Sequence, residues 1–266
     1  MRRLSLSLFR QLEAELKLFW RNREALVLTL LVPVLGMVLL VYLDGEGMLE
    51  RFFGFMARSL GAEDAFSDVS PMMFLSAGLI VYCVIAAAFE NLTPRLVKMR
   101  DDGILKRLGG TPLRGWVLLT AKTLSACILV FIEVGLVLAI GIVASDITIE
   151  GSWWLLVAIL LVGTFTLAGL GFALSSVTTS TGAAMVAVHG VYIPMLLLCG
   201  AFVPIEALPK TLQVVAKVLP LTYFVNPFRS VLVEGAGLAA NGGDLLILLA
   251  WLAGGSVVAV KTFRWE

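Results

Sequence analysis

Six apolar runs, each long enough to cross a bilayer, leave this chain few folds to choose from. A membrane helix needs ~20 predominantly apolar residues to span a hydrocarbon core of roughly 30 Å. Segments 25–43, 71–92, 116–144, 153–175, 184–204 and 243–263 meet that requirement. Lipid offers no hydrogen bonds to exposed peptide groups, so runs of this length settle into helices. The expected class is an all-α integral membrane protein with six transmembrane helices in one domain, 1–266. Composition agrees, since 59% of the residues are hydrophobic and 15% charged, too little polar sequence to coat a water-soluble globule of this size. A net charge of +1 provides no global attraction for nucleic acid. Cys83, Cys127 and Cys199 all lie inside apolar runs and form no metal or disulfide pattern.

Lysine and arginine in short loops set orientation, because cytoplasmic loops hold the excess. Arg2, Arg3, Arg10, Lys17, Arg21 and Arg23 precede the first span; Arg95, Lys98, Arg100, Lys106, Arg107 and Arg114 separate the second from the third; Lys261 and Arg264 close the chain. Asp44, Glu46, Glu50, Glu63, Asp64 and Asp68 dominate the first connection, and Asp146 and Glu150 the third. The expected arrangement is therefore N-in/C-in, in a bacterial cytoplasmic membrane. The first run lacks a small-x-small cleavage site after Asp44 and is read as a retained span.

Three stretches outside the spans carry most of the functional information. In 1–24, Phe9, Leu12, Leu16, Phe19 and Trp20 recur at helical spacing while Arg10, Glu13, Lys17 and Arg21 take the other face, which predicts an amphipathic helix in the membrane interface. An ordinary basic topology anchor is compatible with the same pattern. In 94–108, Thr93 reads as an N-cap, Pro94 as the first helical residue, and Gly109-Gly110 as the stop. A cytoplasmic helix results, either a docking element for a partner protein or a basic loop resting on headgroups. In 206–237, Leu208, Leu212, Val215 and Leu219 precede Pro220, and Phe224, Phe228 and Val231 follow it. These predict two short re-entrant or interfacial outer helices hinged at Pro220 and packed closely against the spans.

Glu133, near the middle of the third span, is either a functional or paired carboxylate or a protonated or hydrogen-bonded packing residue between helices. Lys122 and Glu90 fall close enough to span ends for snorkelling to explain them. Pro33 and Pro194 are expected to kink the first and fifth spans and so mark helices that line a pathway or move. His189 has no second ligand at metal spacing. Gly169-x-x-x-Ala173 and Gly171-x-x-x-Ser175 in the fourth span predict close intramolecular helix packing. No Gly-Lys dipeptide and no nucleophile elbow occur, so neither a phosphate-cradling loop nor a hydrolase triad is expected.

Three segments together resemble the membrane subunits of ABC type-2 exporters, in particular the daunorubicin-resistance-like half-size permeases. They are Glu13-Ala-Glu15-Leu-Lys17-Leu-Phe-Trp-Arg21-Asn22 with Pro33, then Arg100-Asp-Asp-Gly103-Ile-Leu-Lys106-Arg107-Leu-Gly-Gly-Thr111-Pro112-Leu113, then Gly200 to Pro209 with Pro220-Leu-Thr-Tyr223 and Asn226-Pro-Phe-Arg229. The resemblance implies an N-terminal elbow helix (1–24), a cytoplasmic coupling helix (94–108) and an outer re-entrant region (206–237). It also implies a transport subunit without an ATPase site of its own, paired with a nucleotide-binding subunit that carries ATP and Mg, and with a second copy of itself or a paralogous permease. The ATPase docking residues it implies are Glu13, Lys17, Arg21, Arg95, Lys98, Arg100, Asp101, Asp102, Gly103, Lys106 and Arg107. Glu133, Pro33 and Pro194 are the pathway candidates, and the apolar wall with one acid suggests an amphipathic or lipid-like cargo. The rival expectations are an ion-coupled secondary transporter using Glu133, for which no matching inverted halves are found, and a non-transporting assembly or immunity partner.

Overall fold

The computed structural model describes residues 2–262 apart from 22, 67–69, 112 and 146, without the side chains of 2–6, 23–26 and 28. Pro112 of the coupling motif and the orienting charges Arg2, Arg3, Arg23, Asp68, Asp146 and Arg264 thus lie outside the described side chains. Every regular element among the described residues is helical. In order these are α1 (Arg2–Arg21), α2 (Arg23–Gly45), α3 (Met48–Leu60), α4 (Pro71–Ile85), α5 (Leu92–Asp101), α6 (Ile104–Gly109), α7 (Gly115–Ser145), α8 (Trp153–Val177), α9 (Thr181–Leu198), α10 (Lys210–Ala216), α11 (Thr222–Glu234) and α12 (Leu238–Thr262).

Five helices are long and apolar enough to cross a membrane: the continuous rod Pro71–Asp101, α7, α8, α9 and α12. The segment expected as the first span corresponds to α2, whose described part, Thr29–Gly45, qualifies together with α3, and the two are bent by 86°. Counted as one span, the pair makes a sixth. The bend falls where Asp44 and Glu46 end the apolar run and Gly47 adopts φ 64°, a left-handed conformation that glycine enters without a Cβ penalty. Helix α3 replaces the acidic connection expected there. It buries Leu49, Phe53 and Ala57, one residue per turn, with Phe53 edge-on to Phe66 (5.6 Å) and Phe74 (5.8 Å).

The rod is the central element. Within its most apolar window 89% of the residues are buried, against 17% in α12 and 11% in α9. It also overturns one expectation, because no helix begins at Pro94 or ends at Leu108. The chain runs helically through Thr93 and Pro94, stops at Asp101, and restarts as α6 after Gly103, where φ is 68°. Two features override the local start signal. A π turn at Ala86–Glu90, with the Asn91 N–H bonded to the Ala86 carbonyl at 2.9 Å, opens the helix in the turn before the proline ring. Thr93 and Pro94 are also buried, with α8 so close that a Cβ on Gly171 would lie 2.6 Å from Thr93 Oγ1.

The small residues of α8 pack within the chain, as expected. Gly169 faces Gly255 of α12, where an added Cβ would sit 3.4 Å from the opposing backbone. Helices α10 and α11 flank Pro220, and α11 buries Phe224, Phe228, Val231 and Leu232. Phe224 fits only because Gly163 has no side chain, since a Cβ there would come within 2.5 Å of the ring.

Candidate functional site

The end of the rod carries the first group of polar residues. Arg100 donates from Nη1 to the Ser175 carbonyl at 3.1 Å and from Nη2 to the Thr178 carbonyl, covering the last carbonyls of α8. Asp101 Oδ2 accepts from the Thr181 N–H at 2.9 Å and from Thr181 Oγ1 at 2.8 Å, at the N-terminus of α9 where a negative charge is favoured. Adjacent residues of α5 therefore clamp both sides of the α8–α9 turn. Both side chains are therefore bonded to the same turn, Arg100 from a part-buried position and Asp101 at the surface. Lys98, Asp102, Lys106 and Arg107 are exposed, and Gly103 turns the chain between them.

Helix α1 meets this region through its buried face. Glu15 and Phe19 point inward, while Arg10, Glu13, Lys17 and Arg21 are exposed. Lys17 Nζ lies 2.6 Å from Glu13 Oε1, one turn away, and holds that carboxyl below its usual range. Glu15 Oε1 lies 2.8 Å from Lys122 Nζ of α7, with both side chains only 7% exposed, and Gln11 Nε2 donates to Glu15 at 3.4 Å. Lys122 accordingly does not snorkel, because its ammonium is locked inside the protein. Arg95 of α5 places its guanidinium 5.9 Å from the Phe19 ring centre, tying α1 to the rod as well as to α7.

Within the spans, Glu133 is 1% exposed, and neither of its carboxylate oxygens has a hydrogen-bond partner. Pro33 and Pro194 lie inside α2 and α9, both of which continue past them. Glu90 approaches His189 of α9, with Oε1 3.6 Å from Nε2 and side chains 28% and 48% exposed, and Tyr192 lies beside the imidazole at 5.3 Å between ring centres. Glu90 thus faces another helix instead of only a span end.

At the opposite end of the rod, Arg229 of α11 donates from Nη2 to the carbonyls of Gly200 (2.6 Å) and Ala201 (3.3 Å), and its guanidinium lies 3.7 Å from the Phe74 ring centre. The turn it holds presses on α4, where a Cβ on Gly78 would lie 2.3 Å from the Ala201 carbonyl. Of the docking candidates, Glu13, Lys17, Arg21, Lys98, Asp101, Asp102, Lys106 and Arg107 are exposed, while Arg95, Arg100 and Asp101 hold other segments of the chain. The sequence reading missed the roles of Glu15, Lys122, His189 and Arg229. The signals available were Glu15 on the apolar side of the α1 pattern and an arginine set in an apolar outer segment.

Residues 8–233 match the model of the ABC-2 type transporter family. The chain belongs to that family. This ABC-2 permease is 28% identical over 169 residues to the "probable multidrug ABC transporter permease YbhR" of Escherichia coli K12, covering 64% of the chain and 46% of that protein. It is 28% identical over 185 residues to "ABC transporter G family member 20" of Dictyostelium discoideum, covering 67% of the chain and 25% of that protein. With the "inner membrane transport permease YhhJ" of Escherichia coli K12 it shares 24% identity over 200 residues, 75% of the chain and 53% of that protein. The permease spans about half the length, or less, of these relatives. The match begins within α1, includes the rod, α6, α10 and nearly all of α11, and stops before α12.

Proposed function

We propose that this permease is the membrane half of an ATP-powered exporter of a bacterial inner membrane, driven by a separate ABC ATPase that binds ATP and Mg. The reading rests on family membership and on relatives named as multidrug and transport permeases. It takes both termini and the α5–α6 corner to be cytoplasmic, as the lysine and arginine distribution requires. The observation that carries it is the corner itself. Exposed Lys98, Asp102 and Arg107 sit around the glycine break, while Arg100 and Asp101 next to them are bonded to the α8–α9 turn. A partner pushing on α6 moves the rod, α8 and α9 together, as rigid-body switching requires. The ATPase seats on this corner and on the exposed face of α1 (Glu13, Lys17, Arg21), with Arg95, Arg100 and Asp101 positioning it from within.

Two copies assemble around the pathway. A histidine 48% exposed on an apolar span, beside Glu90 and Tyr192, is costly against lipid and is satisfied by a facing protein surface or by water in a pathway. The cargo is amphipathic or lipid-like. The test is co-purification with the ATPase encoded nearest the permease gene, comparing wild type with a Lys98→Glu/Arg107→Glu variant that leaves the Arg100 and Asp101 clamp intact. A drop of at least tenfold in recovered ATPase is expected, and undiminished recovery overturns this docking surface.

A second reading has one observation in its favour, the buried and unpartnered Glu133. Under ion-coupled transport, Glu133→Gln abolishes movement of cargo driven by a proton gradient in proteoliposomes lacking any ATPase. Under the exporter reading no such movement exists to abolish.

A further inference from the structure

A polar cavity of about 420 Å³ lies between the short 3-10 turn Ile205–Ala207, the start of the rod, α11 and α12. That is within the range of small-molecule sites, roughly 300–1,000 Å³. Among the described residues its charged lining is Arg229, Glu206, Glu234 and Asp244, three carboxylates against one guanidinium, and the amides of Asn226 and Asn241 line it too. Among the described residues no direct ion pair is formed by any of these three carboxylates, and Glu206 and Glu234 act on Arg229 only at longer range. Arg229 is held by its Nη2, which donates to Gly200 and Ala201, and by the Phe74 face. Its Nε is buried without a partner, and its Nη1 makes no hydrogen bond among the described residues. The Nε is shielded from the cavity, so the wall combines a fixed guanidinium with Nη1 left to donate and a surplus of acceptors for a cation. Pro204, Ile205 and Val233 supply apolar wall beside them.

A simple anion is repelled by the carboxylates, and a simple cation leaves the arginine donors unmatched. Both sets are met by one ligand that carries a phosphate and an ammonium a few bonds apart. We propose that this cavity binds a zwitterionic ammonium–phosphate head of the phosphoethanolamine type, its phosphate on Arg229 and its ammonium among Glu206, Glu234 and Asp244. The inference rests on the exporter reading only for placing this face outward, where it names a head group that the outer leaflet presents. It is tested without the ATPase, so failure of binding leaves the docking result untouched, and failure of docking leaves binding untouched.

The experiment is isothermal titration calorimetry on the full-length permease in a maltoside detergent. The probes are dihexanoyl phosphatidylethanolamine, dihexanoyl phosphatidylglycerol (phosphate without ammonium), hexylammonium (ammonium without phosphate) and free O-phosphoethanolamine. The ethanolamine lipid is expected to bind at least tenfold more tightly than either single-charge probe. The Glu234→Gln/Asp244→Asn variant, altered only on the cavity's outer helices, is expected to lose that preference over phosphatidylglycerol. O-phosphoethanolamine within threefold of the lipid identifies the head alone as the ligand, whereas a tenfold deficit identifies the lipid as its source. Arg229→Gln is read only if its thermal unfolding matches wild type, and it is then expected to bind hexylammonium and no phosphate probe. Equal binding of the two lipids to wild type, or a preference that survives in the carboxylate variant, overturns the proposal.

Discussion

The Glu15–Lys122 pair offers the sharpest perturbation, because its two charges are 2.8 Å apart and each side chain is 7% exposed. Solvent screening, which reduces surface ion pairs to less than about 1 kcal/mol, does not apply here. Removing one partner leaves the other charge buried and uncompensated, which costs about 3–5 kcal/mol. Glu15→Gln and Lys122→Met are therefore each expected to destabilise the permease by about 3 kcal/mol, and a Glu15→Leu/Lys122→Met double variant to recover most of it, since an apolar pair of similar volume replaces a buried ion pair at little or no cost. A loss of that size lowers Tm by roughly 6–12 °C on the scale of proteins of this length. Thermal unfolding in detergent gives the three values of a double-mutant cycle. Limited trypsin digestion reports the local effect, because release of α1 lets its backbone unwind for cleavage after the already exposed Lys17 and Arg21 in the single variants but not in the double. Two single variants no less stable than the exposed control Glu13→Gln, with additive effects in the double, refute a buried latch between α1 and α7.

Gly163→Ala is expected to destabilise by about 1–3 kcal/mol through overpacking against Phe224, with partial recovery in Gly163→Ala/Phe224→Leu, both measured by thermal unfolding. Gly103→Ala forces a side chain into φ 68° at a cost of roughly 1–2 kcal/mol. It is expected to weaken ATPase co-purification more than it lowers Tm, because the corner between α5 and α6 is redirected. The contact with Lys17 lowers the Glu13 carboxyl below its ordinary 4.5, so the stabilisation it gives α1 is complete above that value and is lost as pH falls through the lowered one. Protection of the α1 amides from hydrogen exchange, corrected for the intrinsic rate at each pH, is expected to fall over that acidic window more in wild type than in Glu13→Gln.

The spans were legible because lipid removes the ambiguity of short apolar runs: α7, α8 and α12 lie close to where hydropathy puts them. What stayed hidden depended on contacts between distant segments. Thr93-Pro94 has the local chemistry of a helix start, yet packing against Gly171 and the π turn carry the helix through it. Helix α3 has a clear apolar stripe, but six acidic residues around it read as a solvated connection until the Phe53, Phe66 and Phe74 rings are brought together. Arg100 and Asp101 announce themselves as charges in a basic loop, and nothing in their spacing tells that Ser175, Thr178 and Thr181 arrive to bind them. Charge type was readable, and the partner was not.

The rod gives these scattered contacts one mechanical frame. Its 31 residues span about 46 Å at the α-helical rise, with Arg229 stacked on Phe74 near one end and the α8–α9 turn clamped by Arg100 and Asp101 at the other. Only the π turn at Ala86–Glu90 departs from α geometry in between, and Glu90, beside His189, belongs to that turn. Displacement of α6 therefore reaches the cavity beside Arg229 either as a rigid shift of the whole rod or, absorbed at the π turn, stops at His189. The two alternatives separate in one measurement. Spin labels at Asp102 and Glu206 move together on ATPase binding if the rod is rigid, whereas movement confined to Asp102 assigns the hinge to the π turn.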